Sequence, residues 1–507
     1  MRNQLTVFFL FIVLCIHAQK YSVETFPNRL RMSWETVSMT AEPDLGFIGI
    51  GYDLFHLVNK TNTIYVGLSS YSAITGIRPG LITLGMSAGW CPQISRKGLF
   101  LDLGAFLGGG GGGGAADGGG LIVRPHLDLE QRFGNLGVRF GVSRIDFPSG
   151  EITGNQINVG LSFSGNNYFK VEDSGYRYFD SSRLNTNKLR VALVGTQYYN
   201  LLEGSVSSKP DVDRIGLVGI QVERSINPYL YGLIKLSGAM SGGTDGYMSI
   251  FFGAGGRLPV VKNRINIESR LLFGPTGGGG IESGGGATVQ AEAGLSLMFG
   301  NGYDLKLMTG KTFSPWGDFE TNHVEIGLGK SFDRLFPEKS TIGIDEFDVD
   351  GKDFTINNMA FTIYNRIYLP PEATTKNGTP YLNSFNSLGF EFQKYIGEKF
   401  TINGGTVWAY QGDYGAYAEG LLGVTYYQPV FSKTKLAFKG MFGAAGGGDI
   451  DLGSGLLFQY ALGLERSLNE RWDFVFYVGQ TQPIEGNFNP VSIDVGLKFH
   501  VSQLLKN

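Results

Sequence analysis

Apolar and polar residues alternate along most of this chain. One stretch reads Ile157, Val159, Leu161 and Phe163 on one set of alternate positions, against Asn158, Gly160 and Ser162 on the other. Near the C-terminus Ile493, Val495, Leu497 and Phe499 alternate in the same way with Asp494, Gly496 and Lys498. Successive side chains of a strand point to opposite faces, so a period of two predicts strands with one apolar face and one polar or small face. Across the middle of the chain the pattern predicts eight strands, over 190–202, 213–227, 229–242, 247–260, 265–274, 287–299, 303–314 and 319–332. No long segment of period 3.6 competes with them.

The pattern recurs three times. Phe106, Phe273 and Phe442 each adjoin a glycine-rich tract, and 54 residues further on stand Gly160, Gly327 and Gly496. Another glycine follows each Phe by 44 residues, at Gly150, Gly317 and Gly486, each just after a proline (Pro148, Pro315, Pro483). A second proline precedes each Phe by 13 or 14 residues (Pro92, Pro259, Pro429). Pro fixes φ and Gly accepts φ > 0, so the Pro-x-Gly and Pro-Ile-Glu-Gly segments are tight turns. A repeat of roughly 165 residues is a whole domain or sheet module rather than a short solenoid unit. The expected fold is all-β: antiparallel sheets or a barrel from three tandem eight-stranded repeats, about 24 strands. The units are placed at 19–163, 189–332 and 354–507. Between them lie a polar linker, 164–188, and an acidic one, 333–353.

Composition restricts the class. Of 507 residues 77 are Gly, aromatics are 13% and charged residues only 17%. A net charge of −3 without a basic run argues against nucleic acid as a partner. Arg2 followed by the apolar stretch Leu5 to Ile16 and by His17-Ala18-Gln19 reads as a secretory signal peptide, residues 1–18, cleaved near Ala18. Leu14 before Cys15 is too bulky for a lipoprotein cleavage site. Cys91 would then be the one remaining cysteine, so no intramolecular disulfide is expected. Beyond the leader no apolar run is long enough for a transmembrane helix. A chain of this kind that spans a membrane does so as a closed barrel, because only closure satisfies every backbone group in lipid.

Several segments invite a chemical reading. The tracts 108–120, 277–286 and 446–455 are expected as flexible loops, or alternatively as close-packing elements near a pseudo-threefold axis. Gly310-Lys311-Thr312 resembles the end of a phosphate-binding loop, but Leu305 stands where its first Gly belongs and the context is a strand, so no nucleotide is expected. Asp345, Asp348, Asp350, Gly351 and Asp353 resemble a calcium loop, yet Asn357 occupies the closing position. His56, His126, His323 and His500 have no second His or Cys at ligand spacing. Nor is there a Gly-x-Ser-x-Gly or His-Glu-x-x-His motif. The expectation is a non-enzymatic protein with no catalytic residues, cofactor or metal.

Signal peptide, aromatic and glycine enrichment, ten- to fourteen-residue strands and dyad alternation together resemble the outer-membrane β-barrel class of Gram-negative bacteria. That resemblance implies apolar faces towards lipid, and Asn158, Glu325 and Asp494 towards the lumen. Trp90, Tyr303, Trp316 and Trp472 would form interfacial girdles. Three features depart from a plain pore: the chain continues from His500 to Asn507 after the last aromatic, Phe499; long loops are missing; and a triplicated unit needs either one large barrel or three sheets. A second reading turns the apolar faces inward, making a periplasmic body docked on a membrane translocon, similar to plug or accessory subunits of the type IX secretion apparatus. A third is a carbohydrate-binding or adhesive surface protein. Glu325→Lys separates the pictures: an open pore would change selectivity, a packed module would lose stability.

Overall fold

The computed structural model describes residues 20–507 except 40–41, 60–61, 172–183, 208–210, 263, 338–345, 351–353, 371–373, 470 and 507. The expected leader, with Ala18, lies outside these residues.

Twenty-four long strands close into three separate antiparallel barrels of eight. The first contains β1 (Lys20–Val37), β2 (Leu45–Asn59), β3 (Asn62–Thr75), β4 (Ile82–Trp90), β6 (Leu99–Gly111), β7 (Ile122–Phe133), β8 (Leu136–Asp146) and β9 (Thr153–Val171), with β5 (Gln93–Ser95) a short spur on β6. It closes where β1 pairs with both β2 and β9. The second contains β10 (Leu184–Tyr199), β11 (Arg214–Ser225), β12 (Leu230–Ser241), β13 (Met248–Val261), β14 (Ile265–Gly277), β15 (Ala287–Met298), β16 (Tyr303–Phe313) and β17 (Glu320–Pro337), closed by β10 and β17. After β18 (Glu346–Asp350), which pairs with the start of β1, the third contains β19 (Phe354–Tyr368), β20 (Phe385–Ile396), β21 (Phe400–Gln411), β22 (Ala418–Phe431), β23 (Thr434–Gly446), β24 (Leu456–Ser467), β25 (Trp472–Pro483) and β26 (Val491–Lys506). It is closed by β19 and β26.

All eight strands expected in the middle unit form. The main difference is at the seams, where β9 reaches Val171, β10 begins at Leu184 and β17 reaches Pro337. Pairing therefore runs into the polar stretches 164–188 and 333–353. Those stretches lack alternation because their strands project beyond the apolar part of the barrel. There the projecting strands touch across barrels, Arg334 opposite Leu505 and Gln503 opposite Phe169. The acidic cluster at Asp345 to Asp353 lies in or beside β18, and its side chains fall outside the described residues.

The repeat needs one correction. Leu107 pairs with Met86, Phe273 with Phe252 and Phe442 with Leu422, so Leu107 is the counterpart of the two later phenylalanines. Phe106 is the counterpart of Leu272 and Met441 and lies inside the barrel, fully buried, whereas Phe442 faces outward. A one-residue slip in a strand exchanges the faces. The first unit is one residue shorter between its glycine tract and Gly150, which made the count of 44 land on the wrong Phe.

The glycine tracts are not free loops. Each begins as the end of a strand, at Gly111, Gly277 and Gly446, and then packs against the neighbouring barrel. A Cβ placed on Gly286 would lie 2.5 Å from the Ala73 carbonyl oxygen, one on Gly120 2.7 Å from that of Ala409, and one on Gly455 3.1 Å from that of Ala239. All three glycines have positive φ, between 86° and 106°. The same strand of each barrel thus docks on the same tract of the next: first on second, second on third, third on first. This head-to-tail contact closes into a ring, and the alternative of packing about a pseudo-threefold axis is the one that forms. Ile82, Ile250, Trp408 and Ala418, with Leu84 and Met248, build an apolar cluster on that axis.

Candidate functional site

The alternation of each strand decides what faces in and what faces out. In β8, Leu136, Val138, Phe140 and Val142 are exposed, while Gly137, Arg139 and Gly141 between them are buried. In β9 the exposed set is Ile157, Val159, Leu161 and Phe163; in β25 it is Trp472, Phe474, Phe476 and Val478. Four alternate positions span about 20 Å along a strand, close to the apolar band of about 25 Å on barrels that cross a membrane. Trp90, Tyr303 and Trp472 end their strands at the rim opposite the glycine tracts, joined there by Phe133, Phe299 and Phe431. Trp316 is exposed at the glycine end. Arg144, Lys311 and Glu320, near the glycine end, terminate the band with charge. No helix among the described residues is long and apolar enough to cross a membrane, which says nothing of strands.

The reading with apolar faces turned inward is thereby overturned. The charge is inside, where an eight-stranded barrel is just wide enough for its own side chains to fill.

In the first barrel Arg29 holds Asp53 at 2.9 Å and Asp102 at 2.8 Å, and also bonds Glu130. Arg124 grips Glu35 at 2.7 and 2.8 Å, and Arg139 pairs with Asp102 and Asp128. In the second, Lys235 meets Glu325 at 2.8 Å and Glu292 at 3.1 Å; Arg270 meets the same two at 2.8 and 2.7 Å. Lys306 bridges Glu223 and Glu268, and Arg190 bridges Glu223 and Asp304. In the third, Arg366 lies between Asp494 at 2.7 Å and Glu419 at 3.0 Å, with Lys439 on Glu391 and Lys498 on Glu465. Nearly every buried charge is matched by its opposite, which offsets the cost of removing it from water.

The residues expected in the lumen, Asn158, Glu325 and Asp494, are structural counterparts, and each is buried in its own barrel. Asn158 donates to Asp128 at 2.9 Å. The cations facing Glu325 and Asp494 are Lys235, Arg270 and Arg366, each a charge that interrupts an apolar strand at an inward position. That interruption is the signal that would have found them.

The other segments of chemical interest resolve into this framework. Gly310-Lys311-Thr312 runs inside β16, paired on both sides. His126 touches Tyr65 and Asp102, His323 lies between Gln290, Thr312 and Glu292, and His500 meets Asp473 at 2.7 Å. The side chain of His56 lies outside the described residues. Cys91, Asp102 and Glu130 bring ligand atoms within 4.8 Å of one another, but the Arg29 guanidinium already stands among all three.

At the glycine end, Asp117 is buried against the junction of the first and third barrels and accepts the Gly112 N–H at 2.8 Å. Burial pushes its carboxyl up to about 6. With a folded value above the unfolded one, its contribution to stability is complete below about pH 4 and is lost as pH rises through 6. Asp117→Asn keeps the acceptor without the charge. It is expected to be more stable than the parent at pH 7.5 by on the order of 2 kcal/mol, and equal to it at pH 4, read from denaturation midpoints at the two pH values.

No family model and no curated protein matches the chain. Solved structures align along almost all of it. The siderophore receptor PirA from Acinetobacter baumannii does so at 9% identity and a TM-score of 0.28, over 94% of this chain and 80% of that one. OccK11 (OpdR) from Pseudomonas aeruginosa does so at 11% identity and a TM-score of 0.22, over 95% and 96%. Both are outer-membrane β-barrel proteins of Gram-negative bacteria.

Proposed function

We propose that this chain is an integral outer-membrane protein made of three fused, internally sealed barrels, with a scaffold role or a role as a subunit of a transport apparatus rather than as an open diffusion pore. One observation carries the reading: the paired charges are buried in the three interiors, beside an apolar cluster in each, while aliphatic and aromatic side chains cover the outside. In water that arrangement leaves apolar surface far larger than the patches of a soluble monomer; in a bilayer it is the ordinary one.

Ile326, outward and exposed near the middle of β17, provides the test. Ile326→Arg is expected to cost about 2–4 kcal/mol for a side chain facing the lipid midplane, measured as folding into vesicles by heat-modifiable migration. A cost within about 0.5 kcal/mol, as for an ordinary water-exposed site, together with release from membranes by alkaline carbonate, would refute membrane insertion. That outcome would favour a different occupant of the same surface, a translocon subunit that covers the outward apolar faces in place of lipid. The projecting seam strands, with β18 added to β1, are the surface such a partner would meet. Reconstituted protein is expected to show no steady conductance.

A further inference from the structure

A cavity of about 1410 Å³ runs from the glycine tracts along the pseudo-threefold axis and into the groove between the second and third barrels. Its walls are outward-facing side chains of the barrels, among them Leu193, Ile220, Leu236, Leu422 and Phe442. Leu193, Leu236 and Phe442 are half-exposed, as are the residues of the outer band, and the groove is continuous with that band. Around its mouth stand Asp117, Asp245, Glu282 and Asp449, with Lys376 the cation, paired to Asp245.

The symmetry is broken at this place. Leu84 pairs with Gly109, Ile250 precedes Phe251 opposite Gly274, and the counterpart position in the third barrel is Gly420. Leu84 and Ile250 fill the axis; a Cβ on Gly420 would meet nothing within 4 Å. The backbone of Gly420 does not need glycine either, since its φ is not positive. The third barrel brings Trp408 to the axial cluster instead, and leaves the space beside Gly420 open.

We propose that this cavity holds the acyl chains of one membrane phospholipid, its head at the acidic mouth. The inference rests on the membrane reading above. The groove is walled mostly by apolar side chains and opens onto the outer band, and inside a bilayer the apolar molecules available to fill it are lipid tails. The mouth, carrying four carboxylates against one ammonium, selects a head that presents its own ammonium, as phosphatidylethanolamine does, over an anionic head.

The experiment uses the full chain, purified in mild detergent and washed extensively, with bound lipid quantified by mass spectrometry. The parent is expected to retain about one phospholipid per chain. Gly420→Leu, which restores the side chain of the other two barrels, is expected to lower retention at least tenfold while keeping the heat-modifiable fold; Leu236→Phe fills the cavity from the opposite wall should the first variant fail to fold. Stripped parent protein should rebind phosphatidylethanolamine in preference to phosphatidylglycerol of the same acyl composition. A folded, heat-modifiable parent that carries no lipid, or filled variants that retain as much as the parent, overturns the proposal while leaving membrane insertion intact. Equal uptake of both lipids overturns the assignment of the head group. A parent released by carbonate fails at the membrane step instead.

Discussion

Glu325→Lys is expected to unfold the second barrel rather than to tune it. Glu325 is buried between Lys235 and Arg270, each at 2.8 Å, and a third cation there would face two others with only Glu292 left to neutralise them. Removing one partner of a buried pair costs about 3–5 kcal/mol. Reversing its sign adds repulsion at low dielectric, so at least about 4 kcal/mol is expected. The measurement is urea unfolding followed by the gel shift of the folded form. An open, hydrated lumen would give the opposite result: a folded protein of unchanged midpoint that conducts anions. Glu325→Gln should lie between, since the amide can still accept one hydrogen bond.

Gly286→Val is expected to act on the arrangement of the barrels and not on their closure. Its side chain would start 2.5 Å from the Ala73 carbonyl oxygen, and φ at Gly286 is +106°, where a β-branched residue is strained. Backbone strain of about 1–3 kcal/mol and overpacking of about 1–3 kcal/mol together exceed what a small junction of glycine and alanine can offset. The β14–β15 hairpin should remain paired, because the clash lies outside the barrel wall. Small-angle scattering in detergent should then report a larger radius of gyration, while the heat-modifiable shift persists. An unchanged radius would show that the junction yields without separating.

Much of this was legible in the chain. A period of two is local, so each strand of the middle unit could be placed within a few residues, and the threefold repeat followed from registered turns at Gly150, Gly317 and Gly486. Closure was not legible. Whether β1 finds β9, or continues round into a ring of about twenty-four strands, is a pairing between residues more than a hundred positions apart, and both choices select the same alternation. The same ambiguity left the direction of the apolar faces open until Arg29, Arg270 and Arg366 were seen inside. The tract glycines gave no indication of their partners either, since a residue without a side chain can mark a mobile loop or the tightest contact in the molecule. Counting from Phe106 rather than Leu107 shows how little separates a correct register from an inverted one.

The head-to-tail ring has a consequence for stoichiometry. Three separate copies of one subunit would have to present identical surfaces at every junction, and any feature on their shared axis would appear three times or not at all. Joined in one polypeptide, the copies assemble in fixed order and number, and each is free to differ. Ser72, Gly238 and Trp408 occupy equivalent strand positions near the axis, yet only the third is bulky. Covalent fusion thus lets a symmetric architecture carry a singular feature, present once per molecule.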